Sequence, residues 1–430
     1  MTATETLPDA AAARPAPRSL LRNRDFLRLW TGETVSQLGT QITVLAIPLV
    51  AIEVLHATTL QVGLLSAAEF APFLLVGLIS GALVDRMRRR RVLIAGDLGR
   101  AVALGSIPLA HALGILNLGQ LFVVVMVSGV LTVFFDVAYQ SYLPALVERE
   151  QLADGNSKLE LSRSGAQIAG PGVAGLLIHA VGGALAIFID ALSYVASALA
   201  VTSIRRREPA LSPATTDQPR PKLRSEIHEG LRYVLGHRYL RWMAACTALS
   251  NLFSSLVGAV LIVFAVRQLG LSAGAIGLIF TLGNIGFLIG AALTTRITNR
   301  LGVGRAIWMS MAVCSGGYFL IAFAPRATAA LWFTAALFIV TFGSPIYNIN
   351  TVSYRQTITP DRLLGRMNAT MRFMIWGTMP IGAIVGGVLG TLIGLRATLV
   401  VGAIGGMTAV LPVLLSDVRK IDAMPTIAPA

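Results

Sequence analysis

"VGLLSAAEFAPFLLVGLISGALVDR", Val62 to Arg86, can be laid without a gap on "IGLIFTLGNIGFLIGAALTTRITNR", Ile276 to Arg300, 214 residues downstream. A second pair follows at nearly the same spacing. "SYLPALVEREQLADGNS" (Ser141 to Ser157) runs beside "SYRQTITPDRLLGRMNA" (Ser353 to Ala369) at an offset of 212, agreeing at the Ser-Tyr pair, at Leu152 and Leu364, and at Asn156 and Asn368. Two gapless blocks at matching offsets mark repetition of a whole half-chain. The first block is also an apolar run long enough to cross about 30 Å of hydrocarbon as a helix, closed by arginine.

Twelve such runs, each about 20 residues long, can be counted along the 430 residues. Hydrophobic residues make up 55% of the chain and charged ones only 13%, with a mean hydropathy of +0.71. That composition excludes a soluble globular domain. Hydrocarbon cannot hydrate backbone amides and the alternating pattern of a barrel strand is absent, so the runs are expected to be helices. The predicted fold is all-α and integral to the membrane: twelve transmembrane helices in two six-helix pseudo-symmetric halves.

The longest polar stretch, 205–238, contains "EPALSPATTDQPRPK" and divides the runs six and six. The expected organisation is a disordered tail (1–25), an N-terminal half (26–204), a linker (205–238), a C-terminal half (239–416) and a short tail (417–430). Within the linker, Leu223, Ile227, Leu231 and Leu235 fall four apart, the spacing of an amphipathic helix lying on the membrane surface. Residues 1–19 carry no apolar core of a signal peptide. Halves in parallel orientation imply a substrate path between them, opened by rocking one half against the other.

A net charge of +14 raises the question of nucleic acid. The position of the basic residues answers it. With the N-terminus placed in the cytoplasm, Arg86, Arg88, Arg89, Arg90 and Arg91 share one side with Arg22, Arg24, Arg28, Arg100, Arg205, Arg300, Arg355 and Arg419, and of 35 Lys and Arg only Arg267, Arg326 and Arg396 fall opposite. This positive-inside bias predicts both termini in the cytoplasm and no nucleic-acid partner. Cys246 and Cys314 lie within runs, and the five histidines show no paired spacing, so neither a disulfide, a metal nor a cofactor is expected. No Ser-His, Cys-His, HExxH or Walker pattern is found, which argues against an enzyme and against ATP-driven transport.

The first run contains "TGETVSQLGTQ", where Glu33, Gln37 and Gln41 recur every four residues on one helix face. An ionised carboxylate at that depth costs about 2.5 to 3.5 kcal/mol on insertion scales, so the stripe must face partners or water rather than lipid. Either it locks helices together by hydrogen bonds, or it lines a central cavity in which Glu33 exchanges a proton and meets the substrate. Glu69 and Asp190 compete for the same role. Gln167, Asn251, Asn284 and Asn348 add uncharged polarity to the expected pathway, with Asn350 and Gln356 nearby in sequence, and Trp376, Phe373 and Phe253 offer an apolar wall.

"GALVDRMRRRRVL", Gly81 to Leu93, resembles the signature loop of the major facilitator superfamily: Gly81, Leu83, Asp85, Arg86, Arg89, Arg90 and Leu93 match, while Arg88 stands where the family has glycine. A degenerate copy, Asn299, Arg300, Gly302 and Arg305, sits at the repeat position. The resemblance implies that Asp85 caps the N-terminus of span eleven and that Arg89 pairs with an acid at the end of span four, where Asp136 stands. That cluster, with Gly81, Arg86 and Arg90, would latch the halves in the outward-facing state. "AQIAGPGVAG" resembles the superfamily's antiporter motif at Gly170, Pro171 and Gly175.

Longer stretches, among them "GETVSQLG", "FIDALSYVASAL" and "EGLRYVLGHRYLR", look like the drug-efflux branch that holds bacterial macrolide efflux pumps and siderophore exporters. That branch lacks the span-four arginine of other drug antiporters, and span four here has none. The resemblance implies a proton-coupled antiporter of the bacterial cytoplasmic membrane, working as a single chain on amphipathic small molecules such as macrolides. A dedicated exporter of an endogenous metabolite, a siderophore or an antibiotic, stays open as the alternative.

Overall fold

The computed structural model describes residues 20–84, 86–148, 151–206, 208 and 223–424. Those residues form helices and connecting turns, with no strand among them. The N-terminal half comprises α1 (Arg24–Leu49, continued by a π-helical turn Val50–Val54), α2 (Thr59–Val84), α3 (Arg89–Ala112), α4 (Leu118–Leu146), α5 (Leu152–Val181) and α6 (Gly183–Thr202). After α7 (Leu223–Gly236) come α8 (Leu240–Val263, with a π turn Phe264–Gln268), α9 (Ala273–Leu301), α10 (Val303–Ala322) and α11 (Ala329–Ile358). One further rod is split at Gly377 into α12 (Asp361–Trp376) and α13 (Thr378–Leu392), and the last into α14 (Leu395–Thr408) and α15 (Leu411–Leu414).

Eleven helical stretches among the described residues are long and apolar enough to span a membrane, where the sequence predicts twelve. The difference is α5. It is 30 residues long, but Asp154, Lys158, Glu160 and Arg163 fall in its first half, and Gln167, Gly170, Gly172 and Gly175 dilute the second. α5 is nonetheless part of the bundle, packed on α1 and α9, with Leu161, Val173 and Leu176 exposed.

Local chemistry sets the helix ends. Asn23, Asn117 and Ser272 accept hydrogen bonds from the first free amides of α1, α4 and α9. Three tight connections, α5 to α6, α9 to α10 and α13 to α14, each turn on one glycine: Gly182 (φ 82°, ψ 159°), Gly302 (85°, 157°) and Gly394 (86°, 160°). That backbone region is essentially closed to any residue with a Cβ.

Packing repeats as the sequence does. In the first half α1 lies on α5 and α6, α3 on α4 and α6, and α2 on α4; in the second α8 lies on α13 and α14, α10 on α11 and α14, and α9 on α11. The halves are joined by α2 on α13 and by α5 on α9. Both crossings are made by paired glycines. A Cβ added to Gly63 would lie 2.7 Å from the Cα of Gly387, and one on Gly277 would lie 2.7 Å from the Cα of Gly175. Gly63 and Gly277 are 214 residues apart and Gly175 and Gly387 are 212 apart, the two offsets of the repeat. These crossings lie toward the end of the molecule away from the arginine loop, where Arg267 also donates to the carbonyl of Ala57 across the halves at 2.6 Å. α7 rests on α12: Gly230 and Val234 are buried in that contact, Leu235 is exposed, and Glu229 bridges Arg362 (3.0 Å) and Arg366.

Candidate functional site

Midway along the bundle the ring of Phe73 on α2 meets Trp376 at the end of α12 edge-on, centroids 4.6 Å apart. From there toward the arginine-loop end two compartments extend. One, of about 810 Å³, belongs to the first half and is lined by Glu33, Gln37, Asp136, Tyr139, Glu160 and Arg163. The other, of about 610 Å³, belongs to the second half and is lined by Asn251, Asn348, Arg355, Gln356 and Asn368. Arg372 and Trp376 line both, and the Arg372 guanidinium lies 5.1 Å from the Trp376 ring.

The polar stripe of α1 divides. Gln37 Nε2 donates to Glu33 Oε1 at 2.7 Å, and both side chains face the first compartment. Gln41 instead faces a separate cleft of about 370 Å³ with Gln167, Pro171 and Asn284. The helix repeat explains this, because each step of four residues overshoots a full turn, by roughly 80° in total from Glu33 to Gln41. Glu33 is 8% exposed, and its Oε2 is buried without a hydrogen-bond partner. The Gln41 side chain fits because Gly170 offers no Cβ to oppose it.

Behind Glu33 lies a charged group that the sequence reading passed over. Asp97 and Arg100 on α3 pair at 2.6 Å, both fully or nearly fully buried. The Arg100 guanidinium sits 4.3 Å from the Phe135 ring centroid and 4.2 Å from that of Tyr194, and Tyr194 shares a hydrogen bond with Thr40 of α1 at 2.8 Å. Arg100 was counted among the cytoplasmic loop charges; here it is inside the bundle. Its signal was an acid three residues earlier within an apolar run, the spacing of a helical ion pair. Arg100 and Glu69 also line a third cavity of about 270 Å³ enclosed by α1, α2, α3, α4 and α6, so Glu69 and Glu33 face different spaces.

Asp190 is fully buried on α6, bonded by Thr43 of α1 and by Ser193 Oγ at 2.9 Å. It joins two helices rather than lining either large compartment. Asn251 Nδ2 donates to the Ile375 carbonyl at 3.3 Å, and Asn284 Nδ2 to the Gln167 carbonyl at 2.8 Å, the latter across the halves. Asn350 is tied to Thr298. Phe253, expected in an apolar wall, packs against Gly405 of α14 instead, whereas Phe373 lines a cleft with Asp136.

Asp85 lies outside the described residues. Arg89 has a partner other than Asp136: its backbone amide donates to Glu208 Oε1 at 3.0 Å and its guanidinium lies 3.7 Å from the same oxygen. Glu208 thereby caps α3, where the helix dipole favours a carboxylate. Arg90 reaches the Thr202 carbonyl, Arg86 is exposed, and Gly81 has open space where a Cβ would stand. Asp136 lies instead among the residues that share the compartments with Arg372. Gly170, Pro171 and Gly175 form the part of α5 that meets α1 and α9. Arg355 and Arg372, which the sequence reading did not place in a pathway, carry positive charge into the second-half compartment.

The model of the Major Facilitator Superfamily matches residues 29–379. The multidrug efflux pump Tap of Mycolicibacterium fortuitum is 28% identical over 396 residues, covering 89% of this chain and 94% of the pump. Macrolide efflux protein A of Streptococcus pyogenes is 23% identical over 424 residues, 92% of this chain and 97% of that protein. Among solved structures, a bacterial homologue of the iron transporter ferroportin in an inward-facing state superposes with a TM-score of 0.73 at 20% identity, over 93% of this chain and 99% of the other.

Proposed function

The chain belongs to the Major Facilitator Superfamily, and from that premise we propose that this multi-pass membrane transporter expels amphipathic organic compounds from the bacterial cytoplasm in exchange for protons. The observation that carries the reading is Glu33. It is a buried carboxylate with one oxygen held by Gln37 and the other unpartnered, at the wall of a compartment large enough for a drug-sized molecule. A carboxylate so placed can take up a proton in one orientation and release it in another, the property an antiporter needs. The names of its relatives, a multidrug efflux pump and a macrolide efflux protein, support the substrate class.

With the arginine-rich loop in the cytoplasm, both termini lie inside and the two compartments reach the cytoplasmic side. The paired-glycine crossings then close the outer side, and the molecule stands inward-facing. Rocking about Phe73 and Trp376 exposes the same walls outward. The test is accumulation of macrolides, tetracyclines and dyes in an efflux-deficient bacterium expressing the chain, with and without a protonophore. Lower accumulation that the protonophore abolishes is expected. Unchanged accumulation across the panel would reject drug export and turn the search to a metabolite of the host.

A further inference from the structure

The second-half compartment contains two arginines and no acid among its lining residues. Arg355, on the last turn of α11, is 9% exposed. It makes no ion pair among the described residues, and its Nε is buried without a hydrogen-bond partner. Arg372, on α12, lines the same space with its guanidinium against Trp376; it also lines the first compartment with Asp136, which attracts it without an ion pair among the described residues. The rest of the polar wall is neutral: Asn251, Asn348, Gln356 and Asn368.

An arginine removed from water with neither counter-ion nor hydrogen bond on Nε is costly. The other arginine buried to a similar degree among the described residues, Arg100, is paired with Asp97 at 2.6 Å. The dipole at the end of α11 accounts for a positive charge near its last carbonyls. It does not account for the placement of Arg355 beside a second arginine, with no acid in the lining, on the wall of a cavity of about 610 Å³. A planar donor fork is suited to a carboxylate or other oxyanion, bound through two parallel hydrogen bonds.

We propose that this compartment binds the acidic group of the transported compound, with Arg355 as the principal partner and Arg372 as the second. The proposal rests on the export reading above and narrows its substrate class to amphipathic molecules bearing a carboxylate or similar oxyanion, whose apolar body lies on Trp376. A basic group on the same molecule would face Glu33 and Asp136 in the other compartment.

The test uses the purified full-length chain in nanodiscs of zwitterionic lipid, with protein-free nanodiscs as the blank. Equilibrium dialysis measures three probes of one apolar body: pyrenebutyrate, pyrenebutanol and a pyrenebutyl-trimethylammonium salt. The expected result is pyrenebutyrate bound at least tenfold more tightly than the alcohol, with that preference lost in Arg355→Gln and only partly kept in Arg355→Lys, which retains the charge but not the planar fork. Arg372→Gln, which removes an exposed side chain, is expected to reduce the preference severalfold and carries the test if Arg355→Gln does not fold. Equal binding of the three head groups, or an anion preference intact in both glutamine variants, overturns the proposal. Binding needs no gradient, so absent efflux with the anion preference intact would reject the export reading and leave the site standing.

Discussion

At the scale of single residues, the chemistry gathers around α1 and α3. Glu33 is held by Gln37 at 2.7 Å, and Glu33→Gln keeps a group of the same size that can still meet an amide. If Glu33 carries the proton, Glu33→Gln should abolish protonophore-sensitive efflux, roughly a return to the accumulation of cells without the protein, while leaving probe binding within a factor of about three. Efflux unchanged in the variant would remove Glu33 from the proton path. The Asp97–Arg100 pair is a different case: both groups are buried, and removing one strands the other. Arg100→Ala and Asp97→Asn are each expected to destabilise the protein by about 3 to 5 kcal/mol, and the double variant by less than the sum. Unfolding of the purified variants in detergent measures this; additive losses would mean that the pair is not coupled. Glu33 was legible because a carboxylate in an apolar run has few explanations. Arg100 was not, because it follows the arginine-rich loop closely enough in sequence to be counted with its topological charges, and only packing against Phe135 and Tyr194 shows that it points inward.

Helices and their junctions make separate demands. Gly182 and Gly394 have open space around the position of a Cβ, so an alanine there meets no atom and is opposed by backbone strain alone. Gly182→Ala and Gly394→Ala should therefore each cost about 1 to 3 kcal/mol, read from unfolding in detergent, with little change in transport at permissive temperature. A loss below about half a kcal/mol would show that the turn relaxes to another conformation. α5 illustrates the limit of reading one element at a time. Its charges and glycines fall short of a free-standing span, yet its glycines are what allow it to approach α9. Likewise the face on which α7 docks runs through Gly230 and Val234, while Leu235 of the apolar series at four-residue spacing is exposed.

For the whole molecule, the two glycine crossings act as one symmetric closure. Gly63 against Gly387 and Gly277 against Gly175 occupy repeat-related positions, and the backbones are too close for any side chain. Gly63→Leu and Gly277→Leu should each wedge that end apart and shift the population toward the alternative state to a similar degree. Spin labels on the two halves at that end, read by pulsed electron resonance, are expected to show the longer distance gaining several-fold in both variants. A shift in one variant alone would mean that the crossings do not share the load. By itself the sequence determined the all-helical membrane fold, the division into two repeated halves and the presence of polar groups that lipid cannot accommodate, since each follows from run length, composition and offset. Only the tertiary structure decided which space each polar group faces: Glu33 one compartment, Gln41 a cleft, Glu69 a third cavity, Asp190 a helix contact, Arg89 Glu208, and Arg355 an acid-free chamber. Facing depends on how helices rotate and cross, and those angles are set by packing between segments hundreds of residues apart, which no local pattern encodes.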